Sequence, residues 1–390
     1  MVAVATSKPS IAVVYLARSS LASEADFRQF ITSYRRFEPG VAHELIVLRK
    51  GFDEKPDLQA ALAALLDGVP HQAIDITDDG FDIQAYVKVA GQLNHELICC
   101  LNTFSVIRAN NWLKMLAVQL DELVGMVAAT ASYESLYDST LLISKAYWLT
   151  ATKDIEFDLE IASQFESMLM QHVPQWLAKR GRSSLLKQIA REVARLLPRK
   201  INTEEINSEF AAYWDELTCP GAVLSHIRDF RRFPNPHLRT NGFIMRRHIL
   251  VGLAFALDNS KAASLRFESG LDGLPARLAR EGLGLVLVGA DGVGYAVADW
   301  PKSRTFRLGI QENVLIVDNQ VRAFNSMSNG ERALYTRITW GDYAPQSAAK
   351  IVDLGIKFQR GSLDLSSPAR ADRMPDFAGG DGRQATGSRS

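Results

Sequence analysis

Cysteine is scarce in this chain of 390 residues: only Cys99, Cys100 and Cys219 occur. Two of them are adjacent in an apolar run, and no pair has metal-ligand or redox spacing. That excludes a disulfide scaffold or zinc ribbon and suits a reducing, cytoplasmic compartment. Long apolar runs are missing as well. None approaches the roughly 20 residues of a membrane span, and "MVAVATSKPS" lacks the apolar core of a signal peptide. The expectation is a soluble protein, with a peripheral place on the inner face of a membrane left open. Neither sign of charge is in excess, with 44 basic and 44 acidic side chains, which argues against a general nucleic-acid binder. The seven histidines show no metal-ligand spacing, and no Gly-x-Ser-x-Gly element is present. "GADGVGY" (Gly289–Tyr295) lacks the opening and the following helix of a dinucleotide loop.

What is present is apolar material at strand and helix periods. Apolar residues make up 47% of the chain, enough for a full core. "SIAVVYLAR" (Ser10–Arg18) is a continuous apolar run with β-branched residues, bounded by Pro9 and by polar residues, as expected of a strand buried on both faces. "SEADFRQFITSYRRF" places Phe27, Phe30, Ile31 and Tyr34 at helical spacing. Strands "HELIVLRKGF", "HQAIDITDDG", "ELICCLN" and "VGMVAATAS" then alternate with helices "DLQAALAALLDG", "DIQAYVKVAGQL" and "NWLKMLAVQLDE". This order predicts an α/β, Rossmann-like, mostly parallel sheet flanked by helices, with ligands held beyond the carboxyl ends of the strands.

Residues 137–232 break the rhythm and read as a helical insertion between two halves, 8–136 and 233–355. Residues 361–390, rich in Gly, Ser, Asp, Arg and Pro, read as a disordered tail. Within the insertion, 179–200 ("KRGRSSLLKQIAREVARLLPRK") sets an apolar face against Lys187, Arg191 and Arg195. Such a helix suits either an anionic membrane surface or packing within its own domain.

Four groups of residues are candidates for chemistry. The strand ends Ala17–Ser20, Thr77–Asp82 and Asn102–Ser105 should converge in space. There Asp78 and Asp79 could accept bonds from a base or ribose. Asn102, Thr103 and Ser105 could bind ribose or phosphate, though neutral groups are poor ligands for a hard divalent ion. All of these also serve as ordinary turn formers. Glu268 in "RFESGLDGLPARLAREGLG" is expected at a helix start, either as a general base or as a partner of the helix dipole. In "FPNPHLRTNGF", His237, Arg239 and Asn241 alternate, so on a strand they would share one face. The segment from Asp299 to Gln320 carries Trp300, Lys302, Ser303, Arg304, Thr305 and Arg307. It suits sugar stacking and diphosphate clamping under a closing loop, or is a plain surface loop.

Taken in order, these blocks resemble the GT-A-type nucleotide-sugar glycosyltransferases of glycosyltransferase family 2, in their bacterial polysaccharide-associated branch. "IAVVYLAR" is similar to the first nucleotide-binding strand, and "DDGFDIQAYVKVA" to the segment after the third. "CLNTFSVIRANNWL" stands where the Asp-x-Asp strand end belongs, "PHLRTNGFIMRR" resembles the acceptor-side strand, and "FESGLDGLPARLAREG" resembles the Glu-Asp helix. The resemblance implies an inverting transfer from a nucleoside-diphosphate sugar to a glycan or lipid-linked acceptor in cell-surface polysaccharide synthesis. It makes Glu268 the base, with Ala17, Arg18, Asp78, Asp79, Asn102, Thr103 and Ser105 on the donor. His237, Arg239, Asn241, Trp300, Lys302 and Arg304 fall to the acceptor or the diphosphate. Two departures stand out. Ser269 replaces the second acid of the pair, and Asn102 with Phe104 or Ser105 replaces the metal-binding acids. Mn2+ or Mg2+ is therefore an open cofactor with unidentified ligands. A non-catalytic sugar-nucleotide or glycan-binding module is the alternative.

Overall fold

The structure is a computed structural model and describes residues 10–20, 23–153, 203–253, 260–344, 356 and 358–365. The chain divides into two compact units. Of the described residues, one unit holds those within 10–135, 229–344 and 358–365, and the other those within 136–228 together with Ile356.

The first unit is built on strands β1 (Ile11–Arg18), β2 (Glu44–Lys50), β3 (Gln72–Ile76), β4 (Leu97–Leu101), β5 (Val106–Ile107), β6 (Val124–Ala128), β7 (Ala131–Ser132), β8 (His237–Leu238), β9 (Phe243–Arg246), β10 (Gly284–Val288), β11 (Gly294–Ala296) and β12 (Ile316–Val317). Eight of these form one sheet in the order β11-β10-β6-β9-β4-β1-β2-β3. β9 runs antiparallel between β4 and β6, and β11 antiparallel on β10; the remaining pairs are parallel. This is the α/β, mostly parallel architecture expected from the alternating pattern. β5 pairs with β12 and β7 with β8 in two small ribbons.

Helices α1 (Glu24–Arg36), α2 (Pro56–Leu65), α3 (Asp82–Ala90) and α4 (Trp112–Ala117) follow the early strands. In the second unit lie α5 (Leu136–Lys153) and α6 (Thr203–Thr218). In the first unit again come α7 (Arg247–Gly252), α8 (Lys261–Ser269), α9 (Leu274–Arg280), α10 (Asn319–Ser326) and α11 (Asn329–Trp340). The sheet is covered on both faces because successive strand residues point to opposite sides. Val14, Leu16, Ile46, Leu48 and Cys100 join the core beneath α3, α8 and α9. Val13, Tyr15, Leu45, Val47 and Cys99 join the core beneath α1, α2 and α4. Tyr15 stacks on Phe30 of α1 with ring centroids 3.6 Å apart.

In the second unit, Trp214 donates to the Tyr137 hydroxyl at 3.1 Å and Lys145 donates to Asn207 at 3.0 Å, joining α5 to α6. The basic segment 179–200 lies outside the described residues, and so do 366–390 of the expected tail. The start of that tail is ordered: Arg231 donates to the carbonyls of Asp364 (3.1 Å) and Leu365 (2.6 Å), and Leu363 and Leu365 pack on the core. Two leucines two positions apart in a polar stretch are enough to dock it.

Two local expectations are corrected. Glu268 does not open a helix; it is the penultimate residue of α8. The start is set by Ser260, whose side chain accepts from the Ala263 amide, and the stop by Gly270. His237, Arg239 and Asn241 do not share a strand face, because β8 ends at Leu238 and the chain turns at Gly242 (φ 64°).

Candidate functional site

The carboxyl ends of β1, β2, β3 and β4 meet the start of antiparallel β9 at one edge of the sheet. Arg18 Nε donates to Asp78 at 2.9 Å, and the fully buried Lys50 donates to the Gly80 carbonyl at 2.7 Å, 3.7 Å from Asp78. Burial, then Arg18, lowers the Lys50 pKa, although Asp78, Asp82 and Asp79 oppose the shift. Asp82 opens α3, and burial raises its pKa against the pull of Arg18 and Lys50. Asp79 is held by the Thr77 hydroxyl, which lowers its pKa. Asp78 is thus the shared anion of two cations, and Asp79 is the acid left facing outward. Gly51 (φ 71°) closes this loop, and a Cβ there would sit 2.8 Å from the Asp78 side chain. Gly51→Ala is expected to lose about 2 kcal/mol in denaturant unfolding. A loss under about 0.5 kcal/mol would mean that the loop yields freely.

The strand-end residues of β4 bond mostly to protein. Thr103 donates to the Leu16 carbonyl (2.7 Å) and accepts from the Arg18 amide (3.2 Å). The Asn241 side-chain oxygen accepts from the Asn102 amide (2.8 Å) and from the Ser105 hydroxyl (2.9 Å). Asn102 Oδ1 accepts from the Phe104 amide at 3.0 Å. Ala17 is buried and reaches the site through backbone alone. These neutral, engaged oxygens do not fit a hard divalent ion. No group of three or more His, Cys, Asp or Glu is placed to hold a metal among the described residues.

Glu268 lies where β8, the turn before β9 and α8 meet. Its side chain is 20% exposed. One oxygen accepts from the Thr240 amide (3.0 Å) and the Thr240 hydroxyl; the other stands 4.0 Å from His237 Nε2. Burial alone would raise the Glu268 pKa, but Arg239, His237 and the two Thr240 bonds outweigh it and hold the carboxyl below its ordinary value. Burial lowers the His237 pKa despite Glu268. Its Nδ1 lies 2.8 Å from the Asn235 carbonyl, which can only accept, so the neutral ring carries its proton there and Nε2 is an acceptor.

Both shifts act in one direction. The unfolded chain protonates His237 near 6.5 while the folded chain resists, so stability falls as pH drops from that value toward the folded pKa. Glu268 adds stability that is present above its ordinary value of 4.5 and is lost as pH falls through its lowered folded pKa. His43, also lowered by burial, behaves as His237 does. His237→Gln is expected to flatten, without abolishing, the loss of stability just below pH 6.5 in pH-dependent denaturant unfolding. An unchanged slope would place a charged His237 in the folded state.

Arg239 lies over the Phe306 ring (4.4 Å) and 4.0 Å from Asp318, and its buried Nε has no hydrogen-bond partner among the described residues. Arg307 also lies over the Phe306 ring (4.7 Å) and pairs with Glu134 at 3.0 Å. Trp300, expected to stack on sugar, is fully buried and donates to the Tyr295 carbonyl at 3.1 Å. It packs against Tyr133 in the core, because an indole in this loop loses least by leaving water. Lys302 pairs with Asp299 and Arg304 with Glu312 at the surface. Glu134, Phe306, Asp318 and Lys50 were not expected at the site. Of these only Asp318 has a local sequence signal, as the N-cap of α10.

No family model matches the chain, and no curated protein matches its sequence. Among solved structures it is similar to the mannosyltransferase PcManGT from Pyrobaculum calidifontis in complex with GDP-Man and Mn2+. Identity is 14%, over 32% of this chain and 36% of that one, with a TM-score of 0.27. It is also similar to mouse xyloside xylosyltransferase 1 in its apo form, at 11% identity over 35% of this chain and 58% of that one, again with a TM-score of 0.27. The chain therefore spans about a third of the first and somewhat over half of the second. Likeness this partial carries no residue role across.

Proposed function

We propose that the chain is a GT-A-like glycosyltransferase that moves a sugar, with inversion, from a nucleoside-diphosphate sugar to a glycan or lipid-linked acceptor in cell-surface polysaccharide synthesis. The observation that supports this most is the facing pair of acceptors, an ionised Glu268 oxygen and the Nε2 lone pair of His237, 4.0 Å apart. Such a pair lacks a donor, and a substrate hydroxyl between them would supply one. In the reaction that oxygen attacks the anomeric carbon. The bond from that carbon to the diphosphate oxygen breaks, its electron pair leaves with the nucleoside diphosphate, and Glu268 takes the proton.

Thr240 holds the reacting carboxylate in place, and Asn235 holds the imidazole tautomer. Arg239, stacked on Phe306 and with an unpartnered Nε, is the cation best placed to meet the leaving diphosphate. Arg18 and Asp79 stand at the donor-side strand ends. Lys302 and Arg304 pair with Asp299 and Glu312 at the surface, whereas Arg239 is held between the Phe306 ring and Asp318, so the role is given to Arg239. No helix among the described residues is long and apolar enough to cross a membrane.

Calorimetric titration with nucleoside diphosphates and sugar nucleotides, with Mn2+ or Mg2+ and again with chelator, tests the reading. Binding that survives chelation, followed by transfer or slow donor hydrolysis, is the expected result. Donor binding without either reaction would favour the non-catalytic module, which the replacement of the acidic pair by Glu268-Ser269 supports. No binding under either condition would remove the donor site altogether.

A further inference from the structure

Helix α1 has a polar row that the sheet does not use. Arg28, Thr32 and Arg36 recur every fourth residue, so they line one face over about 12 Å. With Gln29, Ser33 and Phe37 they wall a groove of about 900 Å3, closed on its other side by Val106, Ile107 and Arg108. No carboxylate lines it. Arg28, Arg36 and Arg108 are all exposed. Arg28 pairs with Glu24 one turn back, whereas Arg36 and Arg108 make no ion pair among the described residues. Arg36 lies 5.1 Å over the Phe37 ring. At the Gln29 end, Arg322 donates to both the Gln29 side chain (3.3 Å) and the Phe104 carbonyl (3.2 Å). The groove therefore opens beside the strand-end loop Asn102–Ser105.

We infer that this groove binds an acidic glycan, a chain bearing uronic-acid carboxylates. The guanidiniums are spread along the groove and do not converge on one point, which suits an anion repeated along a polymer better than a single phosphate. Between them lie the exposed Thr32 hydroxyl and Gln29 amide for sugar hydroxyls, Ser33 being engaged by the Phe30 carbonyl and the Ile107 amide. The site is concave, whereas a lipid surface is met by a face that projects apolar residues between cations. As a place for the acceptor chain, the groove rests on the transferase reading; as a binding site it does not.

The test is titration of the full chain with a short oligogalacturonate, with a neutral malto-oligosaccharide, inorganic phosphate and phosphatidylglycerol vesicles run alongside. The acidic oligosaccharide is expected to bind, the neutral one not, and affinity is expected to fall with salt. Arg36→Gln and Arg108→Gln, both at exposed positions, should each weaken binding about ten-fold while leaving the unfolding midpoint unchanged. Absence of binding, or binding equal in both variants, would overturn the site. So would binding of phosphate or vesicles that the oligogalacturonate does not displace. Nucleotide titration of the same samples separates the two readings. Nucleotide binding without oligogalacturonate binding removes only the groove. Oligogalacturonate binding without nucleotide binding keeps the groove and removes the donor site.

Discussion

Replacing Glu268 by glutamine is expected to lower sugar transfer by about a thousand-fold and to leave nucleotide binding unchanged. The amide can reproduce the resting contacts. Its oxygen can accept the two Thr240 bonds, and its NH2 can donate toward the Nε2 lone pair of His237, which the carboxylate cannot do. The fold and the donor site should therefore survive, and only proton acceptance is lost. Glu268→Ala is a different experiment. It leaves the Thr240 amide and hydroxyl without their acceptor, at a cost of about 1–3 kcal/mol, so lost activity there would mix chemistry with stability. The check is initial transfer and donor-hydrolysis rates for both variants, with the donor found by titration. In the unsubstituted chain the acid limb of kcat/KM should lie below the ordinary carboxylate value of 4.5, because Arg239 and the Thr240 bonds outweigh burial. Full turnover in Glu268→Gln would remove this residue from the mechanism and return the site to a binding role.

The sheet was legible because its evidence is local. "IAVVYLA" and "LICCL" are unbroken apolar runs, and both lie in buried strands, β1 and β4. The spacing of Phe27, Phe30 and Ile31 likewise marks the buried face of α1. What could not be read depends on partners far apart in the chain. Glu268 takes its position from Thr240, twenty-eight residues earlier, and nothing in "RFESGLDG" shows that its carboxylate faces a turn instead of a helix dipole. The Trp300 loop is illegible for the opposite reason. Its composition suits a surface clamp, but three non-glycine residues in a left-handed conformation, Arg304, Arg307 and Gln311, fold it back. Trp300 and Phe306 are thereby buried, and Lys302 and Arg304 stay outside. Residue types alone do not encode that reversal. The neutral end of β4 shows the same limit, since "LNTFS" lacks acids on its face while its bonds to Asn241 appear only once β9 has returned beside it.

Arg307→Met should be the most destabilising of the substitutions, at about 3 kcal/mol. The guanidinium is nearly buried. It bonds Glu134 and Thr339 at 3.0 Å each and lies over Phe306 and Tyr335. Methionine keeps much of the volume but removes the charge pair and both hydrogen bonds. Lysine should recover only part of the loss: one Arg307 nitrogen makes both bonds, which an ammonium can imitate, but an ammonium cannot stack on the two rings as the planar guanidinium does. The backbone supplies an internal control. Arg307 sits at φ 54°, a conformation that costs a non-glycine residue about 1 kcal/mol. Arg307→Gly relieves that strain while losing the same contacts. The glycine variant should consequently fall no further than the methionine variant beyond the packing it forfeits. A loss below about 1 kcal/mol for Arg307→Met, measured by denaturant unfolding, would mean that water screens the Glu134 pair. A loss near 3 kcal/mol accompanied by weaker nucleotide binding would assign Arg307 to holding Phe306, and through it Arg239, in place. A large drop in nucleotide affinity with little loss of stability would instead put Arg307 on the diphosphate itself.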